Sequence, residues 1–218
     1  MRILLINLLL TKYIDRKKIA FLLFILSIFQ LSCNSRTEKD KIKSISIPIP
    51  IPIPNNWRNQ IDFEINKNFN SFKLTDKELT SLIESNKGSI PVLVYMKYNP
   101  TEFAGPIPTI QVNLRPDQTK SLSELEKTLK SSIIQMSSYF QNFKIITPLQ
   151  ETEIGGLKGF MFISQFDMNG NSGENWTIRS WSYVIQSGNY FYQINFSDTA
   201  NEDSKKVYDK VLTQIRFK

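Results

Sequence analysis

Four consecutive Ile-Pro pairs, over residues 47–54, divide this 218-residue chain into two unlike parts. Proline fixes its own φ and keeps the residue before it out of the helical region, so the repeat has to be extended. At the rise of a polyproline helix it covers about 25 Å. We interpret it as a stiff spacer whose last Ile-Pro pair starts the first strand, at a sheet edge because proline donates no ladder hydrogen bond. Docking of the repeat into an aromatic groove is the alternative.

The part before the repeat begins with the features of an export signal. A basic cluster, Arg16-Lys17-Lys18, precedes a 13-residue apolar run over residues 19–31. Such a run fits a signal peptide, whose apolar region has ~7–15 residues, and is shorter than the ~20 residues of a membrane span. It ends at Ser32 and at Cys33, the only cysteine in the chain. We therefore predict a signal peptide over residues 1–32 and no transmembrane helix in the mature protein.

The end of this signal resembles bacterial lipoprotein signals, in which a small residue precedes the cysteine that becomes the lipid-modified first residue. Ser32 and Cys33 match that pattern, whereas Gln30 stands where a leucine is usual. The resemblance implies cleavage between Ser32 and Cys33 and attachment of a membrane lipid through Cys33. It implies a location in the bacterial cell envelope, facing the periplasm or the exterior. A simple cleaved signal and an uncleaved anchor are the alternatives.

Composition excludes several kinds of chemistry. The chain contains no histidine, which rules out histidine general bases, the Ser-His-Asp triad and histidine metal ligands. If Cys33 carries a lipid, no thiol nucleophile and no disulfide remain. We therefore predict a protein that is not an enzyme and that has no cofactor and no metal site. Catalysis by carboxylates alone stays open.

The basic character of the chain lies mostly in its export signal. Of 27 basic and 20 acidic residues, five basic and one acidic fall within residues 1–32. The chain from Cys33 onward therefore has 22 basic and 19 acidic residues, a net charge of +3. A nucleic-acid binder needs a clustered basic face. We predict no nucleic-acid partner.

After the signal, the sequence predicts a tether and then one folded domain. Residues 33–54 are predicted to be a disordered tether that ends in the Ile-Pro repeat, and residues 55–218 the domain. Two helices are indicated by capping boxes, Thr75-Asp76-Lys77-Glu78 and Ser121-Leu122-Ser123-Glu124. A third helix is predicted after Thr199-Ala200-Asn201-Glu202.

Six strands are predicted between these helices from segments rich in β-branched and aromatic residues. They cover residues 92–98, 109–114, 143–147, 158–167, 176–186 and 190–197. Glycine and asparagine between the last three strands predict an antiparallel meander. Several strands are apolar on both faces, so we expect helices to cover both faces of the sheet.

Both ends of the domain resemble PsbP-like and DcrB-like envelope proteins. Ile53-Pro54-Asn55-Asn56-Trp57 is similar to their Ile-Pro-x-x-Trp start, and the ending is similar where Gly155-Gly156-Leu157-Lys158-Gly159 enters a strand and Ile215-Arg216-Phe217 closes the last helix. The resemblance covers roughly residues 45–218. It implies an α+β fold, namely an α-β-α sandwich with a central, mainly antiparallel sheet of about six or seven strands. It also implies a non-catalytic binding or assembly role with an envelope protein as the partner.

A second functional class is a lipoprotein that binds a small ligand or a glycan in an aromatic pocket. Aromatic side chains supply a large contact area with few torsions. The candidates for such a pocket are Trp176, Trp181 and Tyr183, with Trp57 as a further member. On a sheet covered by helices, the same side chains would belong to the core.

The segment Asp167-Met168-Asn169-Gly170-Asn171 begins like a calcium-binding loop. An EF-hand needs glycine at the sixth place and glutamate at the twelfth, where this chain has Ser172 and Ile178. We interpret the segment as an ordinary hairpin loop.

Overall fold

A computed structural model describes residues 53–60, 76–86, 88–119, 121–170 and 173–217. The strands are β1 Arg58–Asn59, β2 Ile90–Met96, β3 Thr109–Pro116, β4 Gln141–Ile154, β5 Leu157–Asn169, β6 Asn175–Ser187 and β7 Tyr190–Thr199. The helices are α1 Asp76–Ser85, α2 Leu122–Tyr139 and α3 Lys205–Gln214. The seven strands form one sheet in the order β1-β2-β3-β7-β6-β5-β4, and all neighbours are antiparallel. The predicted α+β fold with a central antiparallel sheet is confirmed.

Helices cover both faces of this sheet. Leu79 of α1 and Tyr208 of α3 belong to the larger of two core clusters, and Leu125 of α2 belongs to the other. Phe160 of β5 lies in the α2 cluster, while the next residue, Met161, packs against the larger one. Because successive residues of a strand point to opposite faces, the two clusters lie on opposite sides of the sheet.

The three predicted helices are present, and local signals explain where two of them begin. At α2, the Ser121 hydroxyl accepts a hydrogen bond from the Glu124 amide at 3.2 Å, as the capping box predicts. At α3, the buried Asp198 carboxylate accepts a hydrogen bond from the Ser204 amide at 2.9 Å. Side-chain acceptors therefore satisfy amides that the first turn of each helix leaves without an intrahelical partner. None of the helices in the described ranges is long and apolar enough to cross a membrane.

Strand β4 is much longer than the predicted 143–147, since it runs from Gln141 to Ile154. The prediction rested on β-branched and aromatic residues, which end at Thr147, before Pro148 and the mainly polar sequence that follows it. In the fold, β4 is the last strand of the sheet, and its register against β5 shifts between Thr147 and Gln150. An edge position and an irregular register both tolerate a residue without an amide hydrogen. The predicted end of this strand at Thr147 was therefore wrong, because an irregular edge strand can continue through Pro148.

The first strand lies at the opposite edge of the sheet, as predicted from the Ile-Pro repeat. It begins at Arg58, which pairs with Met96, and not within the last Ile-Pro pair. A turn separates the two, because the Trp57 amide donates to the Pro54 carbonyl at 3.0 Å and Asn56 has a φ of 66°. Asparagine is one of the few residues that tolerate this left-handed conformation.

Candidate functional site

Two of the predicted pocket residues, Trp181 and Tyr183, lie in the core. Both belong to the cluster that α1 and α3 cover, and Trp181 is only 6% exposed. The Tyr183 ring meets Phe196 edge to face, with ring centroids 5.9 Å apart. Burial leaves neither side chain open to a ligand, so we remove both from the candidate site.

The third predicted residue, Trp176, is half-buried and lies between two loops. A Cβ atom on Gly105, in the loop between β2 and β3, would be 3.4 Å from the indole ring. A Cβ atom on Gly170, at the end of β5, would be 2.5 Å from the same ring. The φ of +122° at Gly105 is one that side chains rarely adopt. Trp176 therefore packs against the loop over residues 97–108.

A cleft of about 570 Å³ opens beside this loop. Its volume lies within the ~300–1,000 Å³ that is typical of small-molecule sites. The turn before β1 and β1 itself contribute one side, and the loop over residues 97–108 contributes the other. The lining residues are Asn56, Trp57, Arg58, Lys97, Tyr98, Asn99, Glu102 and Phe103.

Hydrogen bonds around Asn99 shape the loop. Its side-chain oxygen accepts from the Thr101 amide at 3.2 Å and from the Thr101 hydroxyl at 2.9 Å, and its side-chain amide donates to Glu102 at 2.7 Å. The Phe103 amide donates to the Asn99 carbonyl at 3.0 Å. This local network orders the loop around its own asparagine, as in other Asx turns, and it fixes the position of Phe103.

Phe103 presents an aromatic surface to the cleft. Its ring stacks on Tyr98 with centroids 4.4 Å apart, and the residue remains 38% exposed. The Tyr98 hydroxyl donates to the Glu202 carboxylate at 2.8 Å, and Lys97 forms an ion pair with the same carboxylate. Tyr98 is therefore held at its ring and at its hydroxyl.

The ion pair fixes the charge of both its members. The hydrogen bond from Lys97, together with the one from Tyr98, lowers the pKa of Glu202 although burial opposes the shift. Burial acts against the charge on Lys97, but the hydrogen bonds to Glu202 and Tyr98 outweigh it and raise the Lys97 pKa. Both groups are consequently charged at neutral pH.

A column of buried aromatic residues supports the rear of the cleft. Trp57, which lines the cleft and is 8% exposed, meets Tyr208 edge to face with centroids 6.0 Å apart. Tyr208 in turn lies 5.4 Å from Trp181. Trp57 is therefore a core residue, like Trp181 and Tyr183, that also borders the cleft, and Trp181 lies behind it.

Two polar side chains of the cleft have no partner among the described residues. Asn56 and Arg58 are exposed, and neither side chain makes a hydrogen bond or ion pair with another residue in the described part of the chain. Within that part there is also no group of three or more acidic side chains or cysteines placed to hold a metal ion. In the described part of the chain, the cleft thus combines an aromatic surface with two polar side chains that bind no other side chain.

The segment that begins like a calcium loop forms a hairpin. The Gly170 amide donates to the Glu174 carbonyl at 2.6 Å. Both oxygens of Asp167 are already hydrogen-bonded, one to Asn142 at 2.7 Å and one to Thr177 at 2.9 Å. These bonds, the one from Asn142 first, lower the pKa of Asp167. Strands β5 and β6 pair up to Asn169 and Asn175, residues 171 and 172 of the loop lie outside the described part of the chain, and Asp167 joins β5 to its neighbours.

The sequence did carry a signal for this site in the loop over residues 97–108. A connection of 12 residues between antiparallel strands is longer than the usual two to five, and this one contains Pro100, Pro106 and Pro108. Long, rigid loops are frequent carriers of function.

The predicted cleavage and lipid sites, Ser32 and Cys33, lie outside the described residues.

Comparison with known proteins gives only distant similarities. No family model matches the chain, and no curated protein sequence matches it. LpqN of Mycobacterium tuberculosis, described as involved in cell envelope biogenesis, is 13% identical with a TM-score of 0.42, over 76% of this chain and 78% of LpqN. PA94 of Pseudomonas aeruginosa, a protein of unknown function, is 11% identical with a TM-score of 0.39, over 55% of this chain and 78% of PA94. Similarities of this size carry no functional argument, and the resemblance to PsbP-like and DcrB-like proteins stays a prediction.

Proposed function

We propose that this chain is a lipid-anchored protein of the bacterial cell envelope and that it works by binding a ligand and not by catalysis. The observation that carries the proposal is the cleft at Tyr98 and Phe103, where an aromatic surface and the polar side chains of Asn56 and Arg58 line the same space. The export signal and Cys33 support the location.

The position of the cleft in the chain fits a protein that works near a membrane. Asn56, a lining residue, comes two residues after the Ile-Pro repeat. Residues 34–54 comprise 21 residues, and a fully extended chain of that length reaches at most ~75 Å. A lipid on Cys33 would therefore keep the start of the domain, next to the cleft, within about that distance of the membrane surface.

The electrostatics of the cleft support binding over catalysis. A general acid or base works best with a pKa near the operating pH. At this cleft, the pKa of Glu202 is lowered and the pKa of Lys97 is raised, so both move away from neutrality. Neither group is tuned for proton transfer, and the chain has no histidine to take that role.

A second candidate function is an assembly role with a protein partner, as in the PsbP-like and DcrB-like proteins that the sequence resembles. The observation that favours it is the exposure of two consecutive apolar side chains, Ile145 and Ile146, in edge strand β4. Pro148 and the shifted register oppose addition of a further strand at this edge. A partner there would contact the side chains.

Labelling with a fatty acid tests the anchor. Cells that express the full chain are fed a labelled fatty acid, and the protein is then isolated. We expect label on the wild type and none on the Cys33→Ala variant. Equal labelling of the two proteins would refute the anchor at Cys33.

Photo-crosslinking in intact cells tests the binding site and separates the two candidates. A photoreactive phenylalanine analogue is placed at position 103 in the cleft, at 146 in β4, or at 134 on α2, where Ile134 is 69% exposed. The proposal predicts adducts from position 103 above the level at 134. Adducts from position 146 alone would favour the assembly role, and equal yields at all three positions would contradict both.

A further inference from the structure

We infer that the cleft beside Phe103 binds a neutral saccharide. This inference names the class of ligand for the binding function proposed above, and it depends on that function. Three features of the described cleft residues carry it: the aromatic surface, the balance of charges, and the planar polar groups of the lining.

The aromatic surface suits a ring with an apolar face. One face of Phe103 is occupied by Tyr98, and the residue is still 38% exposed. Aromatic rings offer a flat apolar surface at a small cost in torsional freedom. The pyranose ring of a sugar has a face of C–H groups that can pack on such a surface, while its hydroxyls point outward to polar partners.

The charges of the cleft cancel among the described residues. Arg58 and Lys97 are its cations, Glu102 is an anion in its lining, and Glu202 neutralises Lys97 directly. An anionic ligand would meet no surplus of positive charge and would have to compete with Glu202 for Lys97. A cationic ligand would meet no surplus of negative charge. A neutral ligand agrees best with this arrangement.

The available polar groups suit hydroxyls, which both donate and accept. The Asn56 amide can donate and accept, and the Arg58 guanidinium presents a planar set of donors. The Glu102 carboxylate accepts from Asn99 at one oxygen and is exposed to solvent. Planar groups of these kinds can bind two neighbouring hydroxyls at once. A purely apolar ligand would leave the same groups without partners, at a cost.

Binding of neutral trisaccharides to the mature full chain tests this inference. The protein is kept in a detergent that has no sugar headgroup, because such a headgroup would itself be a ligand. Chitotriose, cellotriose and maltotriose are titrated separately by calorimetry and by saturation-transfer NMR. We expect at least one of them to bind, with an affinity that changes little between low and high salt because no net charge is involved.

Variants locate the binding. Phe103→Ala should weaken it by roughly tenfold or more, as expected for an aromatic anchor, and Phe103→Leu should weaken it too because the flat ring is lost. Ile134→Ala, which truncates an exposed apolar side chain on α2, should bind like the wild type.

Three results would overturn the inference: no binding of any trisaccharide, equal binding by Phe103→Ala and the wild type, or preferential, salt-sensitive binding of inositol hexakisphosphate used as an anionic probe. If no saccharide binds while position 103 still gives crosslinks in cells, the ligand class is wrong and the binding function stands. If no saccharide binds and position 103 also gives no crosslinks in cells, both the ligand class and the binding function are wrong.

Discussion

The rings of Tyr98 and Phe103 stack with their centroids 4.4 Å apart and their planes 17° apart. Tyr98 is held by the bond from its hydroxyl to Glu202, and Phe103 by the bond from its amide to the Asn99 carbonyl. The exposed ring of the cleft is thus fixed before any ligand arrives. Such preorganisation reduces the entropy that binding would otherwise cost.

The ion pair between Lys97 and Glu202 should contribute modestly to stability. Glu202→Gln removes the pair but keeps an acceptor for Tyr98, so we expect a loss of ~0.5–1 kcal/mol in the free energy of unfolding at neutral pH. The pKa of Glu202 is lowered in the folded state. The stability that charged Glu202 contributes is therefore fully present above the ordinary glutamate pKa of 4.5. It is lost as the pH falls through the lower pKa that Glu202 has in the folded state.

Urea unfolding at neutral pH and at about pH 3 checks this prediction. The matched control is Asp209→Asn, which removes the exposed ion pair of Asp209 with Lys205 and should change the midpoint little. A destabilisation of Glu202→Gln that persists undiminished at the acidic pH would contradict the assigned ion pair.

Gly105→Ala should strain the loop that borders the cleft. A side chain at a φ of +122° is strained even though its Cβ would lie at an ordinary contact distance, 3.4 Å, from the indole ring of Trp176. We expect a loss of ~2 kcal/mol in the free energy of unfolding, measured by urea denaturation, and weaker ligand binding. Gly156→Ala is the matched control, because Gly156 also has a positive φ but lies in the turn between β4 and β5, away from the cleft residues. It should lose similar stability and bind ligand like the wild type; unchanged binding by Gly105→Ala would show that the loop does not shape the site.

Asp198 should make stability depend on pH in the direction opposite to Glu202. The residue is 2% exposed and one of its oxygens has no hydrogen-bond partner. Burial raises its pKa above the ordinary value of 3.8. The folded state therefore holds the proton more tightly than the unfolded state, and stability falls as the pH rises through the interval above 3.8.

Asp198→Asn removes this titration and keeps an acceptor for the Ser204 amide. The stability of the variant relative to the wild type should therefore increase from about pH 4 to about pH 7. Urea midpoints across that range measure the difference. The control is Asp203→Asn at an exposed position, for which no such trend is expected. A difference that stays constant or falls with pH would contradict the raised pKa.

Local signals in the sequence predicted most of the fold. The capping box at Ser121 begins a helix, and the glycine-containing segments between β5, β6 and β7 form the expected hairpins. The second half of β4 was missed because its exposed edge position allows a polar sequence around Pro148. An alternating apolar pattern exists only where one face of a strand is buried.

The candidate site was predicted only in part. Trp57 was among the aromatic candidates and lines the cleft, but Phe103 was not named. The cleft forms where the turn at Asn56 meets a loop some 40 residues further along the chain, and no sequence periodicity reports such a contact. Residue type alone also could not separate Trp181, which is buried, from a surface aromatic.

Thiol protection in intact cells tests most directly whether the cleft is an occupied binding site. Cys33 is the only natural cysteine, so with a lipid attached an introduced cysteine would be the only free thiol. Ala104→Cys places one beside Phe103 without altering the ring, and Ser138→Cys places the control at an exposed position on α2. The rate of reaction with a membrane-permeant maleimide is compared between cells and purified mature protein. We expect position 104 to react several-fold more slowly in cells than in the purified protein, and position 138 to react at similar rates in both. If the rate in cells divided by the rate in purified protein is the same at positions 104 and 138, the cleft is not an occupied binding site.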